Sequence, residues 1–133
     1  MNPVVHFEMP YHDAARASAF YAEVFGWTPR FLGEEMGNYL HLTTSETDAC
    51  TTDHRGTING GMFPFKPDWP LQCPSIVIAV DDIEAAMRRI TAAGGQVLGQ
   101  PMTIPGIGAY VSFVDTEGNR NSILQPKEAG AAG

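Results

Sequence analysis

Two residues near the start of the chain carry acid and base chemistry within one short stretch, Val4-Val5-His6-Phe7-Glu8-Met9. Val5, Phe7 and Met9 alternate with His6 and Glu8, the period of a half-buried strand. The apolar set is expected to pack on a helix, which sends His6 and Glu8 together to the opposite face. An imidazole beside a carboxylate is a general acid/base pair in residue type. A third titratable group, His41, sits in Asn38-Tyr39-Leu40-His41-Leu42-Thr43. There Leu40 and Leu42 claim the helix side, so His41 is expected on the face of His6 and Glu8. His6, Glu8 and His41 have the donor types of a metal site. The competing expectation is that they are polar walls, hydrogen-bonded to Tyr39, Asn59 or water.

The elements that must position these groups follow from periodicity and caps. Asp13 is an N-cap for a helix through Ala17, Phe20, Tyr21, Val24 and Phe25, stopped by Gly26. Strands are expected over Trp27 to Leu32, Asn38 to Thr43 and Thr57 to Phe65. The last contains Gly60-Gly61, and glycine inside a strand marks a bulge or a close approach to the backbone. The segment from Thr44 to Gly56 is polar and could serve as a lid. Pro64, Pro67, Pro70 and Pro74 then mark a linker over about 64–74.

Beyond the prolines the pattern restarts. Ser75 to Val80 is a strand, Asp81 and Asp82 offer caps, and Ile83, Ala86, Met87 and Ile90 mark one helix face ended by Gly94-Gly95. Strands follow from Val97, over Ala109 to Val114 and over Ser122 to Leu124, with a turn at Asp115 to Asn119. Strand–helix–three strands thus occurs twice, with Gly26 and Gly94 68 residues apart. Such a repeat implies two modules in one domain of α+β class, module 1 over about 3–65 and module 2 over about 75–126, followed by a tail at 127–133.

On these residues the chain resembles the vicinal oxygen chelate superfamily, which includes glyoxalase I, bleomycin-resistance proteins and extradiol dioxygenases. The resemblance rests on Val5-His6-Phe7-Glu8, Ala19 to Trp27, Gly60-Gly61-Met62, Val80-Asp81-Asp82-Ile83, Ala93-Gly94-Gly95 and Asp115 with Gly118-Asn119. It implies paired βαβββ modules whose mixed sheet curls around a cavity, and a homodimer. Metal-dependent members hold a divalent ion that acts as a Lewis acid on neighbouring substrate oxygens. His6 matches the first ligand position, fourteen residues before Phe20. The second falls near Gly60 or Gly61, the third at Ser75 and the fourth at Ser122, where the family has side chains that ligate. The expectation is therefore no metal cofactor, with a divalent ion on His6, Glu8 and His41 as the alternative.

Strand parity then supplies a list of cavity-facing candidates. His6 and Glu8 are the acid/base pair, and Tyr39, His41, Asn59, Phe63, Ser75, Val77, Tyr110, Ser112 and Ser122 are ligand-binding walls. Composition removes other classes. The chain has 133 residues, 44% hydrophobic, enough for a core without staples. Its net charge of −7, from 8 Lys+Arg against 15 Asp+Glu, argues against nucleic-acid binding. No apolar run approaches a membrane span and no signal peptide is read, so a cytoplasmic location is expected. Cys50 and Cys73 form no zinc motif and are expected as free thiols; His12 and His54 are expected in solvent. The expected function is binding of a small molecule. The alternatives are a metal-dependent lyase, isomerase or dioxygenase, a module sequestering a cationic drug, and an accessory protein with a vestigial pocket.

Overall fold

The computed structural model describes residues 1–45 and 57–127. The expected lid at 44–56 lies almost wholly outside these residues, as do Cys50, His54 and all but the first residue of the tail. The chain divides into two compact units, residues 5–75 and residues 1–4 with 76–133.

The first unit runs β1 (Val4–Tyr11), α1 (Ala14–Phe25), β2 (Thr28–Phe31), a 3-10 turn (Glu34–Met36), β3 (Leu40–Thr43) and β4 (Asn59–Pro64). Strand β4 lies between β3, which it pairs antiparallel, and β1, which it pairs parallel; β2 pairs β3 antiparallel at the edge. The second unit repeats this plan with β5 (Ser75–Ala79), α2 (Ile83–Ala92), β6 (Gln96–Ile104), β7 (Gly108–Val114) and β8 (Arg120–Pro126). Strand β8 pairs β5 parallel and β7 antiparallel, and β6 forms the edge beyond β7. The fold is α+β, with βαβββ twice, as the sequence pattern predicts.

Both helices start where their caps dictate. Asp13 accepts a hydrogen bond from the Arg16 amide at 3.0 Å, and Asp82 accepts one from the Ala85 amide at 3.1 Å. Gly26 ends α1 in a left-handed conformation, φ 71°, that a side chain would oppose.

Each unit buries one face of its sheet under its helix. In the first, Leu40 and Leu42 are 1% and 0% exposed and Met62 is buried with them. Phe7, Met9, Tyr11, Ala17, Tyr21 and Trp27 pack around this cluster. Trp27 stacks on Tyr21 at 4.8 Å between centroids and meets Phe7 at 5.5 Å. The Tyr11 hydroxyl donates to the Asn38 carbonyl at 2.7 Å, and burial pushes its phenol pKa up. In the second unit Val80, Ile83, Ala86, Val111 and Ile123 form the core.

Only part of the apolar stripe Ala17, Phe20, Tyr21, Val24, Phe25 is covered. Phe20, Val24 and Phe25 are 53%, 57% and 59% exposed, and α1 has no fully buried residue. The stripe is wider than the contact a four-stranded sheet offers, so only Ala17 and Tyr21 reach the core.

The glycine pair of β4 makes no bulge, because its register with β1 and β3 is unbroken. It serves close approach. A β-carbon on Gly60 would lie 2.2 Å from the Phe7 ring. The irregularity lies instead in β6, where register shifts between Leu98 and Met102. Pro101 stands in that interval and has no N–H for a ladder, which an edge strand tolerates.

Two predictions follow from this packing. Gly60→Ala drives a methyl into the Phe7 ring and should destabilise the first unit by about 1–3 kcal/mol, the usual cost of overpacking, read by urea unfolding. The β7–β8 turn is pinned by Asp115, whose carboxylate accepts from the Glu117 and Asn119 amides at 2.8 and 2.9 Å and from Asn119 Nδ2 at 3.0 Å. The Asn119 hydrogen bonds hold its pKa below the ordinary 3.8. A depressed carboxylate stabilises the fold above its unfolded pKa and stops doing so as pH falls through the folded value. Asp115→Asn should therefore flatten the acid limb of stability below about pH 4, measured by thermal unfolding between pH 2 and 6.

Candidate functional site

The face of the first unit opposite α1 carries the chemistry. Register places side chains in rows across it. Arg30 of β2 pairs with His41 of β3, His41 with Gly61 of β4, and Gly61 with Glu8 of β1. In the neighbouring rows His6 pairs with Asn59 and Pro10 with Phe63. His6, Glu8, His41, Asn59 and Phe63 thus share one face, because alternate residues of a strand point the same way.

Tyr39, just before β3, completes the group. Its ring lies on Gly61: a β-carbon there would be 2.1 Å from the Tyr39 hydroxyl oxygen and 2.2 Å from the ring. The hydroxyl makes a 2.8 Å hydrogen bond with His6 Nε2, the donor depending on the imidazole tautomer. The His6 ring centroid lies 6.2 Å from that of His41, and His41 Nδ1 is 3.5 Å from Thr43 Oγ1. Glu8 is 9% exposed, and its backbone carbonyl accepts from Ser75 Oγ at 3.5 Å. Asn59 is 4% exposed and works on the backbone: its Oδ1 accepts from the Thr44 and Ser45 amides, each at 2.9 Å. That bond fixes the chain as it leaves β3. Arg30 was absent from the expected set. Its signal was the Thr28, Arg30 parity of β2, hidden by the neighbouring Trp27, Phe31 and Leu32.

The remaining candidates lie in the second unit, on the sheet face away from α2. Arg120 Nη2 donates to Ser112 Oγ at 3.4 Å, Ser112 and Ser122 share a hydrogen bond of 3.0 Å, and Ser122 donates to the Tyr110 hydroxyl at 2.7 Å. Ser112 and Ser122 are buried, and Val77 is the register partner of Ser122. A separate shallow hollow of about 490 Å³ is lined by Thr103, Ile104, Gly108, Gln125 and Lys127 among others and contains none of the expected residues. There the Gln125 side chain is engaged with the Ile83 amide at the start of α2.

Among the described residues no three His, Cys, Asp or Glu side chains are grouped to hold an ion. At the other matched positions Gly60 and Gly61 offer no donor, and Ser75 and Ser122 offer neutral hydroxyls already hydrogen-bonded, poor donors for such ions.

The geometry can be set beside known proteins. The sequence profile described as Glyoxalase/Bleomycin resistance protein/Dioxygenase superfamily matches residues 4–123. This chain belongs to that superfamily. Among superfamily relatives, the protein CFP32 of Mycobacterium tuberculosis is 32% identical over 111 residues, 83% of this chain and 39% of CFP32. The chain therefore spans about two fifths of that relative's length. A glyoxylase-like domain-containing protein of Didymella fabae is 28% identical over 117 residues, 87% of this chain and 88% of that protein. The anthracycline biosynthesis protein DnrV of Streptomyces peucetius is 27% identical over 127 residues, 84% of this chain and 42% of DnrV. Among solved structures, methylmalonyl-CoA epimerase of Streptomyces coelicolor superposes with a TM-score of 0.71 at 17% identity, covering 99% of each chain. A superfamily member from Vibrio splendidus gives 0.62 at 14% identity, covering 94% of this chain and 99% of that one. At these identities the structures speak for the fold alone.

The Tyr39–Gly61 contact yields a direct prediction. Gly61→Ala must displace the Tyr39 ring, and the His6 hydrogen bond with it. The His6 ring nitrogen shifts in a ¹⁵N spectrum should move in Gly61→Ala as they do in Tyr39→Phe; unchanged shifts in Gly61→Ala would show that the ring does not rest on that glycine.

Proposed function

We propose that this superfamily member binds a small oxygen-bearing molecule on the face of the first unit that carries His6, Glu8, Tyr39 and His41. The observation behind this reading is the His6–Tyr39 hydrogen bond, held over a glycine that leaves room for nothing but the ring. Two polar groups, one on β1 and one just before β3, are thereby oriented beside a buried carboxylate and a second imidazole. A few convergent polar groups among aromatic walls are the character of a small-molecule site.

In this reading Tyr39 and His41 are the contact residues, Phe63 is an apolar wall, and Asn59 fixes the backbone beneath them. Binding uses the protein's own donors and acceptors, without a metal cofactor. We take the assembly to be a homodimer, as the family resemblance implies; sedimentation equilibrium reads that directly.

A fragment screen by NMR on isotope-labelled protein tests the binding reading. Ligands should shift the ring resonances of His6, Tyr39 and His41 together. Tyr39→Phe should weaken the best of them about fivefold to tenfold, the loss of roughly one hydrogen bond. Ligands that bind with these resonances unmoved would overturn the assignment.

A further inference from the structure

We infer that the β2–β3 edge of this face holds an oxyanion, the carboxylate or phosphate group of an anionic small molecule, through Arg30, His41, Thr28 and Thr43. The inference rests on the binding reading above and adds the charge of the ligand to it.

Parity builds the group. Leu40 and Leu42 turn into the core, so His41 and Thr43 point to the opposite face. Strand β2 pairs antiparallel with β3 in a register that sets Thr28 against Thr43 and Arg30 against His41. Directly opposed residues of such a pair lie on one face. The four side chains therefore rise from the corners of a rectangle, about 4.8 Å between the strands and about 6.6 Å along them. Thr28 and Arg30 are exposed on the edge strand, which leaves this rectangle open to a ligand.

The chemistry at the four corners is of one kind. A guanidinium, an imidazole and two hydroxyls can all donate hydrogen bonds, and none carries negative charge. His41 Nδ1 is 3.5 Å from Thr43 Oγ1, and among the described residues no hydrogen bond engages its Nε2. Among the described residues no hydrogen bond or ion pair engages the Arg30 side chain either, although Glu34 and Glu35 follow β2 in the 3-10 turn. The acid in the same row, Glu8, stands three strands away on β1, about 14 Å from Arg30 across the ladder.

An arginine without a carboxylate is notable in a chain of 15 Asp+Glu and 8 Lys+Arg. Its planar fork matches the paired oxygens of a carboxylate or phosphate. The local charge at this edge is thus opposite in sign to the net charge of −7. The His6 ring centroid is 6.2 Å from that of His41, so an anion held at Arg30 has the His6–Tyr39 pair as the next polar group along the face.

The test titrates the isotope-labelled full chain with acetate, acetamide and inorganic phosphate at constant ionic strength. It follows the Arg30 Nε and His41 ring resonances by NMR. Acetamide has the shape of acetate without its charge. At least one anion should shift both sets saturably, with half-saturation about tenfold or more below that of acetamide, and the tighter anion identifies the headgroup. Arg30→Gln should weaken it about tenfold to a hundredfold, the range of a charge-assisted hydrogen bond. Arg30→Lys keeps the charge without the fork and should fall between. Arg16→Gln, on α1, should change nothing. Thermal unfolding checks that each variant folds, and Arg30→Lys carries the test should Arg30→Gln not fold. Anion binding unchanged in the Arg30 variants, or an equal response to acetamide, would overturn the proposal. So would anions that leave the Arg30 resonance unmoved; uncharged fragments that still shift His6, Tyr39 and His41 would then keep the binding reading intact.

Discussion

Two consecutive glycines in β4 carry an aromatic ring on each face of one strand. Phe7 lies on Gly60 and belongs to the core under α1; Tyr39 lies on Gly61 and belongs to the polar face. A β-carbon at either position would sit between 2.1 and 2.3 Å from ring atoms, far inside contact distance. Strand β4 is interior in its sheet, so the position of both rings is set by the ladder on either side. Core packing and site geometry are therefore coupled through a single strand. A shift of β4 that relieved one ring would press the other, which is why neither glycine can be exchanged for its neighbour's convenience.

The two units share a topology but divide the chemistry unequally. In each, the first strand pairs parallel with the last, and the helix covers the face opposite the polar one. The polar face of the first unit presents two imidazoles, a phenol and a buried carboxylate. The same face of the second presents the serine pair Ser112 and Ser122, hydrogen-bonded to Tyr110 and Arg120. Serine hydroxyls donate and accept but do not titrate in the neutral range, and arginine keeps its proton throughout. Acid/base capacity near neutral pH is thus concentrated on the first unit, while the second supplies fixed dipoles. Repetition of the backbone plan was compatible with this divergence because alternate strand positions face away from the core, where substitution costs little packing.

Much of this arrangement was legible in the sequence because caps and parity are local signals. Asp13, Gly26 and Asp82 bound their helices through bonds to the next few residues. The alternation of Leu40 and Leu42 with His41 identified which face each occupies, and the structure buries both leucines. What was not legible depends on partners distant in the chain. Periodicity marks Phe20, Val24 and Phe25 as apolar, yet whether they are covered depends on how wide a sheet lies beneath the helix. Parity likewise puts Asn59 on the polar face but cannot show that its side chain is taken by Thr44 and Ser45. The glycine pair announced a bulge or a close approach, and only the register of β4 against both neighbours distinguishes the two.

Asn59 shows one way in which this face is held in order. Here the ordering comes from the backbone: strands fix the directions of His6, Glu8 and His41, a missing side chain at Gly61 makes the seat for Tyr39, and a buried amide ties down the chain beyond β3. Each of these constraints acts on a different part of the site, so none has to be strong alone. The phenol is held at its ring by Gly61 and at its oxygen by His6. A ligand oxygen that meets the Tyr39 hydroxyl would therefore act on a bond that also orients the phenol.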